Sequence, residues 1–130
     1  MDDIHGVAVV SDSRFESGDP NDDHGHGTHV AGIIAMQANN GIGGTGVAYN
    51  AQIMAIKAAQ YSGILSAIDI SQAIYYAIEK GADVINMSYG GYNNSQIEED
   101  ALAVAFGQAV LVAAAGNDGK PNQGACLGRQ

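Results

Sequence analysis

Bulky aromatic side chains are scarce in this chain, which has no Trp and only two Phe. That argues against a core built on large rings, and the eighteen Gly point instead to close backbone approach and small-residue packing. Cysteine occurs once, at Cys126, so an internal disulfide scaffold is ruled out while the redox compartment stays open. Cations are few as well. Five Lys plus Arg against fourteen Asp plus Glu leave a formal net charge of -9, a field that repels phosphate backbones and anionic membrane surfaces. No apolar run reaches the length of a membrane span, and the start Met1-Asp2-Asp3 is acidic where a signal peptide is basic. Neither nucleic acid nor a membrane is an expected partner, and any export signal would lie outside this chain.

What is present is a regular alternation of apolar patterns. With 46% hydrophobic residues in 130 positions, the chain has enough material for one core. Val7–Val10, Ile53–Ala58, Asp83–Ser88 and Val110–Ala114 read as short buried strands. Between them, Thr28 to about Asn39, Ser66–Lys80 and Glu98–Gly107 read as helices. Ser66 with Asp69 makes a capping-box-like start, Gly81 supplies a stop, and Ile70, Ile74, Ala77 and Ile78 share a face. In the third helix, Ala101, Leu102, Ala105 and Phe106 are expected to point inward. Strands alternating with helices predict an α/β fold, a partial doubly wound parallel sheet with helices on both faces. We expect a single partial domain over 1–130, with 121–130 an irregular tail.

The strongest local signal is Gly25-His26-Gly27-Thr28-His29-Val30-Ala31-Gly32. Glycine on both sides of His26 lets the backbone turn tightly and leaves the imidazole open to a substrate. A neutral imidazole can take a proton from a hydroxyl nucleophile and return it to a leaving amine. His24, His26 and His29 with Asp22 and Asp23 could alternatively form a metal-binding module. Gly41-Ile42-Gly43-Gly44-Thr45-Gly46 satisfies the dinucleotide pattern G-x-G-x-x-G, but a helix precedes it and a strand follows, the reverse of what that pattern needs.

The histidine segment resembles the motif of the subtilisin family at every position. Three further segments agree in order: Gly46-Val47-Ala48 with Ile53-Met54-Ala55-Ile56-Lys57, then Val84-Ile85-Asn86-Met87-Ser88-Tyr89-Gly90-Gly91, then Val112-Ala113-Ala114-Ala115-Gly116-Asn117-Asp118-Gly119. The resemblance implies a serine endopeptidase in which His26 is the general base and Asn117 the side-chain donor to the oxyanion. It makes His29 a buried structural neighbour on the same helix. Ser88, Tyr89 and Gly90 would offer main-chain groups to an extended peptide, a form of strand addition, and Ala114, Ala115 and Gly116 would line the specificity pocket. Asn40, Ile42 and Gly44 fall in a loop resembling one that holds calcium in many subtilisins. The chemistry itself requires no cofactor. The expected substrate is a peptide or protein, and the expected location is extracellular.

Two departures accompany the resemblance. The family orders its triad Asp, His, Ser, and no Gly-Thr-Ser motif follows Asn117, so the chain as given reads as catalytically incomplete. For the acid, two alignments stay open. In one it is Asp12; in the other, Val7–Val10 is the edge strand that follows the aspartate loop, and the acid lies upstream of Met1. Asp12 stands only fourteen positions before His26, which slightly favours the second. A peptide-binding pseudoenzyme is an alternative, as is a chain that associates with a second copy or a complementing chain through unfinished sheet edges.

Overall fold

A computed structural model describes residues 6–10, 19–91, 95–117 and 119. The expected tail at 121–130 lies outside the described residues, as does Asp12. The elements run β1 (Val7–Ala8), α1 (His26–Ala35), β2 (Ile56–Lys57), α2 (Ala67–Glu79), β3 (Val84–Met87), α3 (Gln96–Ala105) and β4 (Val110–Ala113). The fold is α/β with parallel sheets. Two compact units divide it, Met1–Ile64 and Leu65–Gln130, and each contains one strand-helix-strand crossover.

In the first unit, β1 and β2 pair in parallel, Val7 opposite Ile56 and Ala8 opposite Lys57. The ladder extends past the assigned strand through Val9 N–H, which donates to the Lys57 carbonyl at 2.9 Å. The crossover helix α1 ends at Ala35, four residues short of the expected Asn39, because Met36 turns extended at φ -55, ψ 133. The returning loop then takes over the free carbonyls of the helix. Val47 N–H donates to Ile33 O at 3.0 Å, Ala48 N–H to Ile34 O at 2.8 Å and Gly46 N–H to Met36 O at 2.9 Å. So close an approach demands glycine: a Cβ on Gly46 would lie 2.6 Å from Ala35 N and closer still to Met36 N. Ala35 is the one buried residue of α1.

The second unit holds the core. α2 opens on Ser66, whose Oγ accepts from Asp69 N–H at 3.1 Å and donates to Asp69 Oδ2 at 2.7 Å. It closes before Gly81, which has φ +76. This is the expected start and stop, with the carboxylate reaching the serine hydroxyl. Ile70, Ile74 and Met87 pack with Ala101, Leu102 and Ala105, joining one face of α2, one face of α3 and β3. β3 and β4 pair in parallel from Val84 opposite Val110 to Met87 opposite Ala113. Phe106 departs from expectation and is 72% exposed. The helical spacing that would bury it stops at Ala105, and Phe106 is an extended C-cap at φ -61, ψ 124. Glu98 is buried on α3 instead, accepting from the Tyr89 hydroxyl at 3.3 Å.

Candidate active site

His26 is the first residue of α1 and is exposed. The residue before it, Gly25, caps the helix at φ 93, ψ -15, a left-handed conformation natural to glycine and costly for other residues. With no side chain, Gly25 cannot satisfy the free N–H groups of the first turn. Asp22 does so from outside the helix. Its Oδ1 accepts from His24 N–H at 3.0 Å and Gly25 N–H at 2.8 Å. Its Oδ2 accepts from Thr28 N–H and the Thr28 hydroxyl, both at 2.7 Å. Burial pushes the Asp22 carboxyl up, but the hydrogen bonds from Thr28, Gly25 and His24 outweigh it and hold the group well below the usual carboxylate range. A fixed negative charge therefore sits at the positive end of the α1 dipole.

His29 corrects the buried role implied by the resemblance, because it is exposed. The loop that packs on α1 covers its C-terminal carbonyls, whereas His29 lies in the opposite half of the helix. Nor do the histidines make a metal centre. Among the described residues no group of three or more His, Cys, Asp or Glu could hold an ion, and both carboxylate oxygens of Asp22 are engaged by the backbone.

In the second unit, the parallel register of β3 and β4 decides where the remaining candidates lie. Ser88, Tyr89 and Gly90 continue from the end of β3, and Ala114, Ala115, Gly116 and Asn117 from the end of β4. Both segments leave the strand pair at its C-terminal end, the end at which open α/β sheets bind ligands. Ala114 N–H donates to Met87 O at 3.2 Å, so the two segments stay paired to the point where they leave. Ser88 Oγ accepts from the Asn86 side-chain amide at 2.9 Å. Gly116 turns at φ +83, and Asn117 after it is exposed.

Asn40, Ile42 and Gly44 lie on an exposed loop in the first unit. Asn40 Oδ1 accepts from Ile42 N–H at 3.0 Å. Calcium takes six to eight oxygen donors, carboxylates prominent among them. Residues 39–46 contain no carboxylate, so the loop alone does not fit the ion.

Sequence reasoning gave no structural role to Asp22 or Lys57. Lys57 is nearly buried, with its ammonium 2.7 Å from Asp23 Oδ1 and donating to the Asn21 carbonyl at 2.9 Å. A cation within the apolar run Ile53–Ala58 was the available signal, since a charge placed there needs a partner.

The family described as the Subtilase family matches residues 6–127. Among curated relatives, the chain is 45% identical over 102 residues to the Thermophilic serine proteinase of Bacillus sp. (strain AK1), covering 78% of this chain and 25% of that protein. It is 48% identical over 99 residues to the Minor extracellular protease Epr of Bacillus subtilis (strain 168), covering 75% and 15%. To Subtilisin DY of Bacillus licheniformis it is 42% identical over 116 residues, covering 87% and 42%. The chain thus spans less than half the length of each of these relatives.

Proposed function

The chain belongs to the subtilase family, and on that premise we propose that it forms the histidine-bearing part of a serine endopeptidase that cleaves peptide bonds in protein substrates outside the cell. The carrying observation is the parallel register of β3 and β4, which brings Ser88–Gly90 and Ala114–Asn117 to one end of the strand pair. An extended peptide adds to the first segment through main-chain hydrogen bonds, and the second walls the pocket beside the scissile bond. Asn117 donates its side-chain amide to the oxyanion as the carbonyl becomes tetrahedral. His26 takes the proton from the attacking serine hydroxyl and returns it to the leaving amine, so that an acyl-enzyme forms and water then releases it. An exposed imidazole on a capped first turn suits both transfers.

No Gly-Thr-Ser motif follows Asn117 in these residues, and on this reading the attacking serine is not one of them. The 130 residues by themselves therefore bind peptide without turning it over. For the Asn40 loop the reading is narrower, namely neutral oxygen donors to a calcium ion completed by carboxylates outside the loop.

Titration of the isotopically labelled chain with a short extended peptide tests the proposal, followed by amide NMR and by a fluorophosphonate that labels activated serines. Shifts gathered at residues 88–90 and 114–117, with no labelling and no cleavage, are expected. A peptide that moves none of these amides would sink the substrate assignment. Labelling of any serine, with cleavage, would overturn the claim that these residues do not suffice.

A further inference from the structure

The apolar neighbours of Lys57 make its presence on β2 unexpected. Ile56 and Ala58 flank it, and its side chain is only 8% exposed, an environment in which an unpaired ammonium is expensive. Its pairing runs toward the stretch that leads into α1. Asp23 Oδ1 is 2.7 Å from Nζ, and the Asn21 carbonyl accepts from Nζ at 2.9 Å. Through its own main chain, Lys57 also accepts from Val9 N–H at 2.9 Å. One residue therefore ties the strand pair of the first unit to the chain just ahead of the histidine.

Asn21 and Asp23 flank Asp22, whose carboxylate gathers His24, Gly25 and Thr28. Three successive residues are consequently anchored, the outer two to β2 and the middle one to the first turn of α1. His26 follows three residues after Asp23, with Gly25 at φ 93 between them. Because His26 opens α1 directly after Gly25, the backbone from which its imidazole projects is set by the segment before it. Proton transfer tolerates misplacement of only about half an ångström, so a rigid approach to His26 has a use beyond holding the unit together.

We propose that Lys57 is a positioning residue for His26: its ammonium, held by Asp23 and the Asn21 carbonyl, fixes the 21–25 segment against β2 and so sets where the imidazole is presented. The role rests on the reading of His26 as the general base. A merely structural lysine would affect stability and leave the imidazole as it was. The two are separated by NMR on the full chain, following the His26 ring nitrogens at one fixed pH and amide exchange at Gly25 and Thr28. In Lys57→Met and in Asp23→Asn, the ring shifts of His26 are expected to change. Exchange at Gly25 and Thr28 should quicken about tenfold, as when a charge-assisted hydrogen bond is lost from a locally opening segment, while exchange at Ile74 and Ala77 in α2 stays unchanged. Lys57→Arg, which restores a cation with planar donors, is expected to bring the His26 ring shifts back toward their original values. A folded Lys57→Met or Asp23→Asn whose His26 ring shifts stay as before would overturn the proposal, as would Lys57→Arg behaving like Lys57→Met. If Lys57→Met does not fold, Asp23→Asn decides, since it keeps the shape of the side chain and removes only its charge. No peptide or nucleophile enters this measurement, so failure of the peptidase reading would appear in the peptide titration and leave this result standing.

Discussion

Asp22 performs a task that the residue beside the helix cannot. Gly25 provides the turn, and the side-chain oxygen that a Ser, Thr or Asp N-cap would normally contribute comes from a carboxylate three residues earlier. Replacing Asp22 with Ala is expected to cost about 1 kcal/mol, the usual worth of a cap, read as a lowered thermal midpoint with fraying at Thr28. The effect depends on pH in a definite sense. The folded-state group titrates well below its ordinary value of 3.8, so the folded state favours the ionised form and Asp22 stabilises the fold fully above that value. As pH falls through 3.8 toward the depressed folded value, the unfolded state takes up the proton first and the contribution drains away. Thermal midpoints of the wild type and Asp22→Ala measured from pH 7 downward should therefore differ by a constant amount to about pH 4, then converge. The histidine motif was legible in the sequence because everything that identifies it lies within eight adjacent residues. Asp22 and Lys57 were not, because their roles are defined by partners six and thirty-six positions away, and distance along the chain says nothing of who those partners are.

Helices α2 and α3 were readable for a similar reason. Their apolar faces recur at helical spacing, and Ile70, Ile74, Ala101, Leu102 and Ala105 are buried as that spacing requires. Ile74, 2% exposed, is expected to lose about 2–5 kcal/mol on substitution by Ala, the cost of removed contacts plus the cavity left behind. Chemical denaturation followed by circular dichroism would measure it. The ends of elements were less legible. Four strands were expected over runs of four to six residues, yet β1 and β2 have two each and β3 and β4 four. An apolar run reports burial, whereas strand length is set by how many main-chain partners a neighbouring strand supplies. The close packing of the loop on α1 was hidden altogether, since Gly46 stands among other glycines in sequence. Gly46→Ala is expected to destabilise the first unit by about 1–3 kcal/mol, because backbone rather than a yielding side chain occupies the space. Gly44→Ala, with nothing near its added carbon, serves as the neutral control.

For the molecule as a whole, alternation of strand and helix was enough to establish α/β architecture with parallel pairing, and the sequence comparison agrees over residues 6–127. That the strands form two pairs could not be read from the chain, because pairing choice depends on contacts between distant segments. The distances involved carry a consequence in time. Val7 must find Ile56, forty-nine positions on, while Val84 must find Val110, twenty-six positions on. Closing a loop costs more as it lengthens, about 0.6 kcal/mol for each doubling, and the nearer pair also has the main core of α2 and α3 to consolidate it. Pulse-labelled hydrogen exchange during refolding should find the amides of β3 and β4 protected before that of Val9, and simultaneous protection would refute the order. Refolding would then run from the later half of the chain backward, and the segment bearing His26 would be among the last to settle.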